Sequence, residues 1–187
     1  MSNRKYLVLP AAILVIAALV AGFYEYDMHV RGNFGTVTAG EAYRSAQLDT
    51  LQLAARLRDH GIRSVVNLRG PSATGAWYRD EIAYSAAHGI AHYDLELMST
   101  KEPSDAQMDS LVALLGRAPR PVLIHCMAGA DRTGLAAALW QLTIDGLPPQ
   151  AARRQLSLRY WHVPWGGTRA MDRAFARYAA RRGRIDH

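Results

Sequence analysis

The stretch that decides the fold is "VLIHCMAGADRTG", residues 122–134. Three apolar residues lead into His125 and then into Cys126, which is the only cysteine of the chain. A short apolar run that ends in a loop of small residues is typical of a buried strand. Helix-forming sequence resumes at Thr133 with "TGLAAALWQLTIDG". The pattern therefore predicts a strand, a short loop and a helix, with the thiol at the carboxyl end of the strand.

The segments around this stretch alternate between strand and helix patterns. "FGTVTAGEAYRSAQ" predicts a hairpin, and "IRSVVNL" and "IAHYDLELM" predict buried strands. Helices are predicted for "TLQLAARLRDH", "AWYRDEIAYSAAH" and "DAQMDSLVALLGR". Two of them start with a capping box, formed by Asp49 with Gln52 and by Ser104 with Gln107. This alternation predicts an α/β fold in which a central, mostly parallel sheet of about four to five strands is flanked by helices.

The composition allows one ordinary globular domain and favours an anionic partner. A chain of 187 residues can bury one such core, which we assign to residues 35–187. The formal net charge of +6 comes from 20 arginines and two lysines against 16 acidic residues. Nucleic acid, anionic lipid and phosphorylated substrates all fit that charge. A single cysteine excludes an intramolecular disulfide, and no group of Cys and His residues has the spacing of a structural zinc site.

The N-terminal segment predicts a membrane anchor. Residues 6–24, "YLVLPAAILVIAALVAGFY", carry no charge and would span roughly 28 Å as a helix, which is enough to cross a bilayer. Arg4 and Lys5 precede this run, whereas Glu25 and Asp27 follow it. The positive-inside rule then keeps the N-terminus in the cytoplasm and sends the rest of the chain across the membrane.

This topology divides the chain into three parts. Residues 1–24 are predicted to form the anchor, residues 25–34 a polar linker, and residues 35–187 the globular domain. A cleaved signal peptide is the alternative to an uncleaved anchor, because Ala21 and Gly22 resemble a cleavage site. The apolar run is longer than the usual core of a signal peptide, which is about 7 to 15 residues, so we favour the anchor.

The loop after Cys126 has the composition of an anion-binding site. It lies at the carboxyl end of its predicted strand, where open α/β sheets bind their ligands. Its small side chains leave backbone N–H groups free to point inward, and the N-terminus of the next helix adds partial positive charge. The same field stabilises a thiolate over a thiol, which makes Cys126 a candidate nucleophile. Arg132 supplies a planar guanidinium that matches two oxygens of a tetrahedral oxyanion such as phosphate.

The segment "HCMAGADRTG", residues 125–134, resembles the phosphate-binding loop of the cysteine-dependent protein tyrosine and dual-specificity phosphatases. In that family a His-Cys pair is followed by five residues, then by Arg and by Ser or Thr. The segment "AYRSAQL", residues 42–48, is also similar to the opening strand region of bacterial and of plant or fungal-type dual-specificity phosphatases. The resemblance implies a phosphatase that needs no metal and no cofactor, in which Cys126 is the nucleophile and Arg132 holds the phosphoryl oxygens.

The resemblance also implies supporting roles for the rest of the loop. His125 would orient the loop, and the hydroxyl of Thr133 would assist release of the thiolate during hydrolysis. The phosphate would be bound by the backbone amides of Met127, Ala128, Gly129, Ala130, Asp131 and Arg132.

The general acid has three candidates. Many members of the family take it from the loop before the helix "DAQMDSLVALL", which here offers Glu102 and Asp105. "GADRTG" also resembles bacterial phosphatases with "GKDRTG", some of which use the loop aspartate, so Asp131 is our first choice. Ala130 stands where those enzymes have lysine, which argues against a lysine-assisted phosphoinositide specificity.

The N-terminal segment and its flanking charges, together with the resemblance to bacterial members, predict a single-pass protein of the inner membrane with its catalytic domain on the periplasmic side. Its substrate would be a phosphorylated protein, lipid or small molecule. A membrane-tethered phospholipid or inositol-phosphate phosphatase with the same chemistry is one alternative, and a non-catalytic module that binds phosphorylated ligands is another. Nucleic acid is not expected as a partner of an exported domain, and the sequence sets no oligomeric state.

Several arginines outside the loop are further candidates for contact with a substrate or partner. Arg44 either approaches the rim of the pocket or supports the loop from behind, and Arg69 is expected to border the substrate because it follows a predicted strand. The C-terminal helix is basic, and its arginines either face an anionic partner or form a solvated surface. They are Arg169, Arg173, Arg177, Arg181 and Arg182.

Overall fold

The computed structural model describes the backbone of residues 3–185 and the side chains of residues 10–183. Its helices are α1 (Asn3–Glu25), α2 (Thr50–Asp59), α3 (Ala76–Ala87), α4 (Asp105–Arg117), α5 (Asp131–Thr143), α6 (Pro149–Ala152) and α7 (Arg169–Ile185). Its strands are β1 (Gly35–Thr38), β2 (Ala42–Ser45), β3 (Ser64–Asn67), β4 (Ala91–Asp94) and β5 (Val122–His125). A π-helix at Tyr26–Arg31 follows α1, and short 3-10 helices at Arg153–Gln155, Leu158–Tyr160 and Gly166–Thr168 lie between α6 and α7.

The five strands form one sheet in the order β1-β2-β5-β3-β4. β1 runs antiparallel to β2 as a hairpin, and the other neighbouring strands are parallel. Every residue of β2, β3 and β5 is buried, as expected for parallel strands that are covered on both faces. The predicted α/β fold with a mostly parallel central sheet is confirmed.

Helices cover both faces of the sheet, and successive strand residues serve opposite faces. Val65 of β3 and Leu123 of β5 pack in one cluster with Leu53 of α2. Val66 and Ile124, the next residues of the same two strands, pack in a larger cluster with residues of α4, α5 and α7. Because α5 lies in this larger core, nine of its thirteen residues are buried. The helix that carries the predicted anion site is therefore fixed by packing along its length.

The helix starts follow the capping signals of the sequence. The Asp49 carboxylate accepts a hydrogen bond from the Gln52 backbone N–H at 2.8 Å, and the Gln52 side chain accepts one from the Asp49 N–H at 3.1 Å. Ser104 and Gln107 form the second predicted capping box. The start of α5 differs from the prediction, because the helix begins at Asp131 rather than at Thr133.

The chain divides into two compact units after Gly32. In the first unit, the helical segment Pro10–Arg31 comprises 22 residues and is long and apolar enough to cross a membrane. The start of the predicted linker is helical, since the π-helix Tyr26–Arg31 continues directly from α1. Gly32 then ends the helix in the left-handed conformation, with a φ of 68°. The division of the chain into anchor, linker and catalytic domain stays a prediction.

Candidate active site

The candidate catalytic loop connects β5 to α5 and is packed tightly against β2. Cys126 follows the last residue of β5 and is 2% exposed. Gly129 adopts a φ of +70°, and a Cβ atom there would lie 2.6 Å from the backbone nitrogen of Ala46. Only glycine fits this position, because both the backbone conformation and the close approach exclude a side chain. The packing forces the loop into a tight curve beside the sulfur.

Arg44 holds the underside of this loop. Its guanidinium is completely buried, and Nη2 donates to the carbonyl oxygen of Gly129 at 2.7 Å. Nη1 donates to both the backbone and the side-chain oxygen of Gln155, each at 2.7 Å. Burial lowers the pKa of Arg44 to about 10, so the group remains a cation at neutral pH. Of the two interpretations of Arg44, the structure supports the one in which it supports the loop.

Two buried hydrogen-bond donors in the first turn of α5 have no acceptor within the described residues. The Nε atom of Arg132 and the hydroxyl of Thr133 are buried and have no hydrogen-bond partner within residues 3–185. Nη1 of Arg132 donates to the carbonyl oxygens of Leu97 at 3.1 Å and Leu68 at 3.4 Å, which fixes the guanidinium against the segments after β4 and β3. A buried donor without a partner is costly, so this arrangement suits an anionic ligand that would accept from both.

His125 is held by a buried carboxylate that the sequence analysis did not identify. Oε1 of Glu81 lies 3.1 Å from Nε2 of His125 and 2.8 Å from Nε2 of His92, and Oε2 accepts from Nε2 of Gln47 at 2.8 Å. Burial raises the pKa of Glu81, but the charge and hydrogen bond of His125 and the hydrogen bonds of His92 and Gln47 outweigh it and hold the pKa well below its usual range. Glu81 is therefore an ion at neutral pH. In the sequence, the burial of Glu81 is indicated only by its position on a helix that lacks a continuous apolar stripe.

A second guanidinium lies near the candidate catalytic loop. Arg69 stacks on the ring of Trp77, with Cζ 3.5 Å from the ring centroid, and its Nη1 donates to Oε1 of Gln47 at 3.0 Å. Burial and the nearby charge of Arg132 lower the pKa of Arg69, while Cys126 and Glu81 act in the opposite direction. Arg69 thus lies within electrostatic range of Arg132 and Cys126, and its place at the border of the substrate site stays a prediction.

Asp131, the first candidate for the general acid, is paired with a buried histidine. Nδ1 of His162 lies 2.7 Å from Oδ1 of Asp131, and Nε2 lies 2.9 Å from Oδ2 of Asp172 on α7. Burial lowers the pKa of His162, but the two carboxylates outweigh it and the pKa is raised. The Asp131 side chain remains 21% exposed, so it is not sealed off by this pairing.

Glu102 and Asp105, the other two candidates, are bound to arginines of α7. Glu102 pairs with Arg173 and Arg177, and Asp105 pairs with Arg177 at 3.0 Å and with Arg181 at 3.7 Å. The hydrogen bond from Arg173, together with that from Arg177, lowers the pKa of Glu102. A carboxyl group that is more acidic than usual is a poor proton donor at neutral pH. Three of the five C-terminal arginines are thus engaged by acidic residues of the same domain.

The buried thiol of Cys126 is followed by a helix whose first turn carries two buried donors without partners within the described residues. Within the part of the chain that the structure describes, no group of three or more His, Cys, Asp or Glu residues is suited to hold a metal ion. Cys126, Arg132, Thr133 and the loop amides lie at the carboxyl end of β5, which is the central strand of the sheet. Glu81, Gln47 and His162 are the residues of this site that the sequence analysis missed.

The sequence model of the family described as "Tyrosine phosphatase family" matches residues 28–154 of this chain. A curated relative, the dual specificity protein phosphatase TpbA of Pseudomonas aeruginosa, is 41% identical over 54 residues, which is 28% of this chain. That match spans 25% of the length of TpbA.

Two solved structures show the same fold. A crystal structure of P. aeruginosa TpbA, a Cys-to-Ser variant in complex with phosphotyrosine, superposes with a TM-score of 0.63 at 22% identity and covers 78% of this chain and 83% of that one. The core catalytic domain of the PP-IP phosphatase SIW14 from S. cerevisiae superposes with a TM-score of 0.59 at 20% identity and covers 81% and 93% of the two chains.

Proposed function

Because this chain belongs to the tyrosine phosphatase family, we propose that it is a metal-independent phosphomonoester hydrolase of the dual-specificity type. The observation that carries the proposal is a pair of buried donors, Nε of Arg132 and the hydroxyl of Thr133, that have no partner within residues 3–185. Both lie in the first turn of α5, directly after the loop that begins with Cys126. A phosphoryl group seated there would accept from the guanidinium, the hydroxyl and the loop amides. The sulfur would then face the phosphorus atom.

The reaction proceeds through two displacements at phosphorus. In the first, the Cys126 thiolate forms an S–P bond while the P–O bond to the leaving group breaks and that oxygen takes a proton from the general acid. In the second, water attacks phosphorus, the same carboxylate takes the proton of the water, and the S–P bond breaks. Arg132 stabilises the negative charge of the equatorial oxygens in both transition states.

We assign the general acid to Asp131. The acid must reach the leaving oxygen, and Asp131 is the first residue of α5, directly after the loop, with a partly exposed side chain. The hydrogen bond from His162 orients its carboxyl group. Glu102 is less suited, because arginines of α7 bind both of its carboxylate oxygens, whereas His162 contacts only Oδ1 of Asp131.

We propose that the substrate is a phosphorylated protein, and that phosphorylated lipids and small molecules are the alternatives. TpbA has been crystallised with phosphotyrosine, which supports a phosphotyrosine-bearing substrate. We further propose that the N-terminal helix anchors the protein in a bacterial inner membrane with the catalytic domain in the periplasm. The support is the apolar segment together with Arg4 and Lys5 before it and Glu25 and Asp27 after it.

Hydrolysis of an aryl phosphate by the purified full chain tests the activity. We expect phosphate release that is abolished in Cys126→Ser and reduced by several orders of magnitude in Arg132→Lys, because lysine cannot bind two oxygens at once. Binding of phosphotyrosine peptide without release of phosphate by the wild-type protein would instead identify a non-catalytic binding module. A panel that compares phosphopeptides with vesicles containing phosphoinositides distinguishes a protein substrate from a lipid one.

A matched set of substitutions tests the general acid. Asp131→Asn should slow hydrolysis of phenyl phosphate far more than hydrolysis of p-nitrophenyl phosphate. Phenolate is the poorer leaving group and needs protonation, whereas p-nitrophenolate can leave as an anion. Glu96→Gln is the control, since Glu96 lies in the loop after β4 and has no hydrogen-bond or ion-pair partner within the described residues. If Glu96→Gln and not Asp131→Asn gives this selective loss, the assignment of Asp131 is wrong.

A further inference from the structure

Glu81 is a buried acidic residue that receives donors from three separate parts of the fold. It lies on α3 and is 3% exposed. Its Oε1 atom faces His92 of β4 and His125 of β5, and its Oε2 atom accepts from Gln47, which follows β2. A buried carboxylate is retained at such a position only where its partners compensate its desolvation. Two of these partners, His125 and Gln47, also contact the catalytic loop.

Glu81 is connected to the nucleophile through one residue, His125, and these contacts form the first path. Nε2 of His125 faces the carboxylate of Glu81 at 3.1 Å, and Nδ1 faces the carbonyl oxygen of Cys126 at 3.4 Å. A neutral imidazole carries only one N–H group, whereas the imidazolium ion can donate to both acceptors. The carboxylate of Glu81 therefore favours the cation, which lies immediately before Cys126 in the chain. A positive charge at that position stabilises the thiolate.

The second path runs through Gln47 to Arg69. The amide of Gln47 has one orientation that satisfies its neighbours, because its NH₂ group donates to Glu81 and its oxygen accepts from Nη1 of Arg69 at 3.0 Å. The backbone N–H of Gln47 also donates to the carbonyl oxygen of Met127 in the catalytic loop at 3.0 Å. With Trp77 on one face and Gln47 at one edge, the guanidinium of Arg69 is held in a single direction. Its remaining N–H groups have no partner within the described residues.

We propose that Glu81 is a positioning residue that maintains His125 as a cation beside the nucleophile and, through Gln47, directs Arg69 toward the anionic substrate. This inference rests on the proposed phosphatase function. Glu81 does not contact the substrate itself, and it acts on catalysis by one path and on substrate binding by the other. Loss of the charge of Glu81 should therefore alter both thiolate formation and substrate affinity. Loss of the hydrogen bonds of the Gln47 side chain should alter substrate affinity alone.

Glu81→Gln tests the first path, because it keeps the shape of the side chain and removes its charge. We expect the acid limb of the kcat/KM profile to move about one pH unit higher, so that activity on the acid side of the limb falls roughly tenfold. The rate of iodoacetamide alkylation of Cys126 should show the same displacement of its midpoint. The conservative variant Glu81→Asp retains the charge, so its acid limb and alkylation midpoint should stay near those of the wild type even if its kcat falls.

Gln47→Leu tests the second path and remains informative if Glu81→Gln does not fold. We expect it to raise KM for a phosphotyrosine peptide about tenfold without moving the acid limb, and Arg69→Met should do the same. Because both substitutions cut one path, the double variant Gln47→Leu/Arg69→Met should raise KM no more than either single variant. A double variant whose effect is the product of the two single effects would overturn this part of the proposal.

The alkylation measurement separates this proposal from the proposed function. It reports on the thiolate whether or not the protein hydrolyses phosphate, so it is valid even if the wild type is inactive toward every substrate tested. A folded Glu81→Gln protein whose alkylation profile matches the wild type would show that Glu81 is only a structural residue. An inactive wild type in which Glu81→Gln still shifts the alkylation midpoint would contradict the phosphatase assignment and leave the role of Glu81 intact.

Discussion

Nη2 of Arg44 lies 2.7 Å from the carbonyl oxygen of Gly129, and this contact joins strand β2 to the underside of the candidate catalytic loop. Nη1 of the same guanidinium donates to the backbone and side-chain oxygens of Gln155. A buried cation thus supports the loop by binding one of its carbonyl groups. A loop whose carbonyl groups are occupied by Arg44 can leave its N–H groups for an anion.

We predict that Arg44→Met destabilises the protein by on the order of 3 kcal/mol, because it leaves buried carbonyl groups of Gly129 and Gln155 without donors. Urea unfolding of the full chain in detergent measures this loss. Arg44→Lys should recover only part of it, since one ammonium group cannot reach both acceptors in the geometry of the guanidinium. Equal stability of the methionine variant and the wild type would show that the contacts of Arg44 contribute nothing net.

We predict that Gly129→Ala abolishes phosphatase activity. The added Cβ atom would lie 2.6 Å from the nitrogen of Ala46, so the loop has to move away from β2 and its donors lose their common direction. Gly146→Ala is the matched control, because Gly146 has the same φ of +70° but an added Cβ atom there would meet no atom within 4 Å. The control should lose only about 1 kcal/mol of stability and keep its activity. Comparable activity in the two variants would exclude the clash at Gly129 as the cause.

We predict that the contribution of His162 to stability depends on pH. Its pKa is raised in the folded protein by Asp131 and Asp172, against the opposing effect of burial. A raised pKa means that the stabilisation is complete below the unfolded value of about 6.5 and is lost as the pH rises through the folded pKa. His162→Asn should therefore lower the thermal midpoint most at pH 6 and progressively less at alkaline pH.

His88→Asn is the control for the histidine prediction, because His88 is exposed and pairs with no carboxylate within the described residues: its ring contacts the carbonyl oxygen of Tyr84 and stacks on the Tyr84 ring, with 4.0 Å between the ring centroids. Its thermal midpoint should follow that of the wild type at every pH. A deficit of His162→Asn that is the same at pH 6 and at pH 9 would mean that packing, rather than the charge of the imidazolium, accounts for the stabilisation.

We predict that the ion pairs between α7 and the start of α4 contribute little to stability and are sensitive to salt. Arg177→Gln removes the pairs with Glu102 and Asp105, whose side chains are 31% and 51% exposed. Pairs at such exposure contribute little because water screens them, and the loss should decrease further in about 0.5 M salt. Urea unfolding at low and high salt measures this difference. A loss that is large and independent of salt would show that Arg177 acts through packing.

The sequence by itself determined the elements of the fold and the chemistry of the loop. Period-two and helical patterns, the two capping boxes and the small residues after Cys126 all depend on neighbours within a few positions, so they can be recognised without a structure. The lone Cys126 and Arg132 six residues later are likewise a local signal.

Only the tertiary structure decided which distant residues support that loop. Glu81 and His125 are 44 residues apart, Arg44 and Gln155 are 111 residues apart, and Asp131 and His162 are 31 residues apart. These contacts form because parallel strands bring their carboxyl ends to one edge of the sheet, where side chains from β2, β5, α3 and the segment before α7 meet. Local patterns hold no information on such pairing, since each partner alone is an ordinary polar residue whose burial becomes favourable only when the other is present.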